Sequence, residues 1–348
     1  MAHEPHPRLD PGRLQPAYDL LQDLVARGEL PTGLLAVAGA RDTPRCEAYG
    51  PGGAIPTDGI YWIASITKPV IATAIMQLVE RGRLLIEDPV ARHVPEFAVN
   101  GKEGVTLWHL LTHTSGLSDD LWNGTASPTT PELDLQGACA APLRFPPGSR
   151  HQYSNPGFRV LGEVVRRASG QPHPDYLRRE VFEPTGMAET TFRPDLSDPR
   201  LVMVPDMMSM PGGVEGFIAL ETPSGGLFST AADLVAFGQA FLNQNRGRNG
   251  RLLSPAAIRV MTRLHTQGIC SYGNGQPVPQ YYGLSWEKAA PHEARLLSPS
   301  GFGHGGMAGT YLWIDPDADL VVVFLTNRIN WDRRGRKAVL NAVMAALE

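Results

Sequence analysis

Apolar positions recur at helical spacing near the start of the chain. Within residues 11–27, Leu14, Tyr18, Leu21, Leu24 and Val25 share one face, which predicts an amphipathic helix. Residues 34–40 and 46–49 are short apolar runs around a polar turn at 41–45, the pattern of two strands. Residues 60–64 lead into Ser65, and 70–84 read as a buried helix. It stops at Arg81-Gly82-Arg83, where glycine ends the helix and arginine complements its dipole. Short helices are expected at 107–112, 157–168 and 175–182. Between them, the polar, Pro- and Gly-rich stretch 119–147 reads as a loop over a functional surface. Residues 201–216 are irregular and carry Met203, Met207, Met208 and Met210. They form either a flexible apolar wall for substrate or a filler of core gaps. Residues 230–243 form a clear amphipathic helix, with Thr230 and Asp233 at capping-box spacing. Strands return at 281–286, 310–314 and 320–326, the last two joined by the turn Asp315-Pro316-Asp317, and residues 334–347 close the chain as a helix.

Strands therefore lie at both ends of the sequence, with helices between. The economical arrangement is an α+β fold: one antiparallel sheet built from both termini and flanked by helices, plus a mainly helical lobe. This assigns residues 12–65 and 215–348 to the sheet lobe and 66–214 to the helical lobe. The chain has 348 residues, 42% of them hydrophobic and 19% charged, which is the composition of a globular enzyme. A net charge of −4 leaves no footprint for nucleic acid or an anionic membrane. The longest apolar runs fall far short of the ~20 residues that span a bilayer. The first ten residues show no apolar core and no small-residue cleavage site, so a cytoplasmic location is expected. Cys46, Cys139 and Cys270 are widely spaced and form no Cys-x-x-Cys pair, against both a disulfide framework and a thiolate zinc site.

Ser65-Ile66-Thr67-Lys68 is the first candidate for chemistry. If Ser65 opens a helix, Lys68 lies one turn on and on the same face, within reach of the hydroxyl. To act as a base, Lys68 must fall from about 10.4 to near neutrality, which burial can supply. Sixteen serines and four lysines give about 0.2 chance matches to Ser-x-x-Lys, so context must decide. A second match, Ser285 to Lys288, lies in a strand-like segment that would point the two side chains to opposite faces. Tyr153-Ser154-Asn155 precedes a helix. A tyrosine beside a lysine ammonium can be pulled down from about 10 and exchange protons with Ser65, and Asn155 can donate to a substrate carbonyl. Tyr272-Gly273-Asn274 has the same pattern in a Gly-rich loop. Gly303-His304-Gly305-Gly306 lets substrate lie against an edge strand, with the N–H groups of Met307 and Ser65 as an oxyanion hole. His109 and His113 have the spacing of a helical zinc pair, but Leu110 stands where a metalloprotease needs glutamate and no third ligand is evident, so a structural role is expected. No Gly-x-Ser-x-Gly elbow and no phosphate-binding glycine fingerprint is present, so no nucleotide cofactor and no metal is expected.

Taken in order, these motifs resemble those of the serine β-lactamase and penicillin-binding-protein superfamily. They are most similar to the branch of class C β-lactamases, family VIII carboxylesterases and D-alanyl-D-alanine carboxypeptidases. The similarity extends to LWHLLTHTSGL at 107–117, EPTGMAETTF at 183–192 and SGGLFSTAADL at 224–234. It implies a β-lactamase-like fold with the site between sheet and helical lobe. It implies Ser65 as the acylated nucleophile, Lys68 and Tyr153 as the base system, Asn155 as a substrate-positioning group, and Ser65 and Met307 as oxyanion donors. The third motif departs from the family's Lys-Thr-Gly. His304-Gly305-Gly306 replaces a fixed cation with a group that is largely neutral at pH 7, which weakens recognition of a β-lactam or peptide carboxylate unless Arg328 points into the cleft. The departure, together with the absent export signal, favours a cofactor-free carboxylesterase acting on a small-molecule ester. The alternative is a β-lactamase or D-amino-acid peptidase with the same site, and a third is a penicillin-binding scaffold that no longer turns over.

Overall fold

A computed structural model of the protein describes residues 9–119, 129–209, 212–243, 252–273, 275–291, 296–329 and 331–348. The strands are β1 (Gly33–Gly39), β2 (Arg45–Gly50), β3 (Gly53–Ala54), β4 (Ile60–Trp62), β5 (Leu201–Val202), β6 (Phe228–Ser229), β7 (Cys270–Gly273), β8 (Gln276–Pro279), β9 (Glu287–Lys288), β10 (Phe302–Gly305), β11 (Tyr311–Asp315) and β12 (Leu320–Thr326). The helices that matter below are α1 (Gln15–Ala26), α2 (Thr67–Glu80), α3 (Leu107–Leu111), α4 (Pro131–Ala140), α5 (Asn155–Ser169), α6 (Ala231–Leu242) and α7 (Arg334–Met344).

The main sheet is antiparallel throughout and runs β3-β2-β1-β12-β11-β10-β9, so the first and last parts of the chain are stitched together at β1 and β12. Val37 faces Val322, which in turn faces Trp313. Both faces of β12 are covered. Leu320, Val322 and Phe324 pack under α1 and α7, while Val321, Val323 and Leu325 pack toward α2 and α6. This is why β12 reads as an unbroken apolar run instead of an alternation. Among the described residues no strand lies between Trp62 and Leu201, and that interval holds the helices that border the site. A small sheet, β5-β4-β6, links them to the main body. No helix among the described residues is long and apolar enough to cross a membrane.

Several elements differ from the sequence expectation. Helix α2 begins at Thr67, before Pro69, because the missing proline N–H is not needed in a first helical turn. Residues 281–286 form a turn, not a strand. Gly283 N–H donates to the carbonyl of Trp286, and Ser285 sits at φ +66°, which leaves only Glu287 and Lys288 for the edge strand β9. Helix α4 emerges within the polar stretch, capped by Thr130, and residues 120–128 of that stretch lie outside the described residues. Thr230 caps α6 by accepting from the Asp233 N–H, but the Asp233 carboxylate does not close the box. It accepts instead from Glu189 N–H and the Thr190 hydroxyl, tying α6 to the 183–192 segment. Met207 is fully buried with Ile60, Trp62, Val204 and Phe228, so it fills the core and lines no substrate wall. The side chain of Met208, and Met210 and Asn274 altogether, lie outside the described residues.

Gly238 lets α6 rest directly on the sheet: a Cβ there would stand 2.6 Å from a Val321 methyl and 3.3 Å from Ile314. Gly238→Val should therefore cost about 1–3 kcal/mol of stability through overpacking. Chemical denaturation measures this, and an unchanged midpoint would contradict the contact.

Candidate active site

Ser65 stands at the junction of β4 and α2. The chain leaves Trp62 through a single 3-10 turn, Ala64–Ile66, with Ala64 forced to φ +48°. That turn is fixed from several sides. Thr67 Oγ1 donates to the Ala64 carbonyl at 2.7 Å and accepts from Leu227 N–H at 3.1 Å, while Ile63 N–H donates to the Leu227 carbonyl. From the sheet, Thr310 Oγ1 donates to the Ile63 carbonyl at 3.1 Å. Gly306 lies so close that a Cβ would come within 2.6 Å of that same carbonyl. The third motif is thus pressed against the backbone just before Ser65, and glycine at 306 is what permits the approach.

Lys68 is completely buried, one turn into the helix. Its Nζ lies 3.1 Å from Ser65 Oγ, 2.7 Å from Asn155 Oδ1 and 2.5 Å from the Ser224 carbonyl. Burial pulls its pKa down to about 7; the Asp119 carboxylate opposes the fall and the Arg159 charge assists it. A neutral amine has two protons and one lone pair. The two protons go to Asn155 and Ser224, which have no proton to give in return, so the lone pair faces the Ser65 hydroxyl. In its neutral form Lys68 thus turns its lone pair toward Ser65 Oγ.

Tyr153 differs from the sequence expectation in the direction of its pKa. Lys68 Nζ sits over the face of its ring, 4.7 Å from the centroid. Burial pushes the Tyr153 hydroxyl up from its usual value, and the nearby Ser65 hydroxyl recovers only part of the rise. The hydroxyl is not pulled down by the lysine, because the cation contacts the ring face and desolvation dominates.

Asn155 is held as well as holding. Its Oδ1 is on Lys68, its Nδ2 donates to Asp119 Oδ2 at 3.0 Å, and its backbone N–H donates to Asp119 Oδ1 at 2.5 Å. One N–H of the amide remains for substrate, and its main task is to fix Lys68. Asp119 had no sequence signature, because it acts across 36 residues on a backbone N–H at the start of α5. Ser224 was equally hidden, because it contributes only a carbonyl.

His304 lies in β10, 1% exposed, with Nδ1 2.8 Å from the Gly305 carbonyl, to which it donates. Burial, helped by the Lys68 charge, lowers its pKa to about 3, so the imidazole is neutral. His113 stacks on Tyr153 at 4.4 Å between ring centroids and accepts the Ser154 N–H through Nδ1 at 3.1 Å. His109 Nδ1 accepts the Thr106 N–H, completing a capping box on α3. Both histidines of the spaced pair thus serve the backbone. Gly305 packs beside the guanidinium of Arg336, and Met307 is half-exposed at the turn after Gly306. Among the described residues the Met307 N–H has no protein acceptor. Arg328 does not point into the cleft. Its guanidinium donates to the Gly28 and Glu29 carbonyls in the turn that follows α1. Of the second Ser-x-x-Lys pair, Ser285 is buried in the turn described above, while Lys288 donates to the Ser300 carbonyl.

The Beta-lactamase family model matches residues 18–345. The chain belongs to that family. D-alanyl-D-alanine-carboxypeptidase/endopeptidase AmpH of Escherichia coli (strain K12) is 27% identical, over 94% of this chain and 87% of that protein. Esterase EstB of Burkholderia gladioli is 38% identical, over 48% of this chain and 46% of its own length. A penicillin-binding-protein homolog from Caulobacter crescentus has the same fold, with a TM-score of 0.82 at 22% identity across 99% of this chain and 100% of the other. The protein is therefore a member of a superfamily of serine hydrolases, with a β-lactamase-like fold of antiparallel sheet and helices.

Three histidines surround Tyr153 and Lys68, and burial holds all of them neutral: His113 falls well below its usual value, His151 to about 4 and His304 to about 3. Their imidazole proton resonances should not titrate between pH 5 and 8. A chemical-shift step near pH 6.5 at any of the three would show that the site is wetter than this geometry allows.

Proposed function

We propose that the protein hydrolyses carboxylic esters through a Ser65 acyl-enzyme. The observation that carries this reading is the pairing of a lysine tuned to about 7 at the nucleophile with a buried, neutral imidazole in β10, where the family's Lys-Thr-Gly motif supplies a cation. The strand along which substrate would lie then presents glycine backbone and no fixed charge of its own.

Lys68 removes the Ser65 proton, and Ser65 Oγ attacks the ester carbonyl. The oxyanion is held by the N–H groups of Ser65 and Met307, the first of which lies in a helical first turn without a partner one turn back. Tyr153 gives its proton to the departing alkoxide as the C–O bond breaks, which leaves a phenolate beside the Lys68 ammonium. The phenolate then takes a proton from the water that adds to the acyl carbonyl, and the Lys68 ammonium returns its proton to Ser65 Oγ as the Ser65–acyl bond breaks and the acid leaves. Each step moves one proton and needs no metal or cofactor.

The similarity to AmpH across most of the chain favours a second reading, cleavage of a D-alanyl peptide by the same residues. The leaving group would be an amine, and the same proton path would serve it.

The test is kcat/KM for a short-chain p-nitrophenyl ester against a chromogenic cephalosporin and a D-alanyl-D-alanine peptide. Ester preference supports the esterase, and peptide preference supports the second reading. Ser65→Ala should abolish all turnover while leaving the melting temperature nearly unchanged; retained activity would end this mechanism. The pH dependence follows from the two shifted groups. Protonated Lys68 has no lone pair, so kcat/KM should rise with pH through about 7. Tyr153 is raised and must stay protonated, so the rate should hold its plateau to at least about pH 10, the ordinary tyrosine value. A bell centred below pH 7 would reverse the assigned roles.

A further inference from the structure

A cavity of about 480 Å³ opens beside Tyr153, between the 145–153 segment and the β7–β8 hairpin. Phe145, Arg150, Gln152, Tyr153, Tyr272 and Gln280 line it. The walls are tied together. His151 N–H donates to the Cys270 carbonyl at 3.0 Å, and Gln280 Nε2 donates to Ser271 Oγ at 2.9 Å. At the mouth the Arg150 guanidinium lies over the Tyr272 ring, 4.6 Å from its centroid. Tyr272 is 49% exposed, so one face of its ring is open at the mouth. Among the described residues no carboxylate pairs with Arg150. The cavity thus combines flat aromatic walls, side-chain amides and one unneutralised cation held in a fixed orientation.

We propose that this cavity is the leaving-group subsite, and that it takes the alcohol portion of an ester carrying a flat ring and a carboxylate. The assignment rests on the esterase reading above for its direction. Tyr153 both borders the cavity and hands its proton to the departing oxygen, so the group that leaves is the group on this side. Arg150 then holds the carboxylate, the role that the sequence offered to Arg328 and that Arg328, spent on the turn after α1, does not fill. The ring lies between Tyr272 and Phe145. In the reaction the bond from the carbonyl carbon to the aryl oxygen breaks as the bond to Ser65 Oγ forms. The aryl oxide receives the Tyr153 proton, and the carboxylate stays ionised on Arg150 throughout.

The experiment compares 4-carboxyphenyl acetate with phenyl acetate. Both give the same acetyl-enzyme, so any difference in kcat/KM arises before the leaving group departs. Arg150→Ala should lower the ratio of the two kcat/KM values about tenfold, the size of one charge-assisted hydrogen bond. Arg150→Lys should restore part of it. A ratio unchanged by Arg150→Ala overturns the proposal. So does a ratio that falls with Arg333→Ala instead, since Arg333 on the α7 side is the other cation whose charge reaches Tyr153 and His304. Calorimetric titration of the Ser65→Ala protein with benzoate separates the two readings. Arg150-dependent benzoate binding to Ser65→Ala, with no ester turnover by the unsubstituted protein, upholds the cavity and sinks the esterase. Ester turnover with no Arg150-dependent benzoate binding does the reverse.

Discussion

A lysine side chain without any water around it is the constraint from which the rest of the site follows. Lys68 is fully buried, and an ammonium in that position is costly unless acceptors surround it. The protein supplies two oxygens, from Asn155 and Ser224, and the faces of two rings, Tyr153 and Phe158. These are enough to hold the group in place and too few to keep it charged at its ordinary value. The result is an amine near pH 7 with one unused lone pair, and Ser65 is what that lone pair meets.

Each of these partners is itself anchored by a different part of the chain. Asp119 fixes Asn155 from the loop after α3, and His113 fixes the Tyr153 turn from the same loop. The 222–227 segment fixes the Ser224 carbonyl and the turn at Ser65. Thr310 and Gly306 press in from the sheet. A site assembled this way depends on the sheet being closed by strands from both ends of the chain. Only then does the β10–β11 turn reach the Ile63 carbonyl at the end of β4.

The neutrality of the surrounding histidines belongs to the same economy of charge. A cation at 304 would sit next to Lys68 and push its pKa further down; the imidazole, lowered to about 3, adds no charge at all. With β10 uncharged, an anionic substrate must find its partner elsewhere along the cleft, and Arg150 stands where the Tyr153 side opens to solvent.

Local pattern was sufficient for the helices with a clear apolar face, for β12, and for the Ser65–Lys68 pair, because a helical turn alone brings positions i and i+3 together. The sequence motifs also pointed to Tyr153, Asn155 and His304 and to the family's fold. What local pattern could not determine were interactions that cross the chain. Asp119 reaches Asn155 over 36 residues, and Ser224 offers a backbone carbonyl that any residue type could provide. The direction of Arg328 depended on the Gly28 and Glu29 carbonyls that the turn after α1 brings to it, and the protonation of Tyr153 on whether Lys68 met its hydroxyl or its ring. Residues 281–286 carried a strand-like composition, yet tertiary packing bent them at Ser285. Sequence by itself thus determined which groups could do the chemistry. Tertiary structure decided their charge states and orientations, because desolvation and long-range hydrogen bonds exist only after the chain has closed around them.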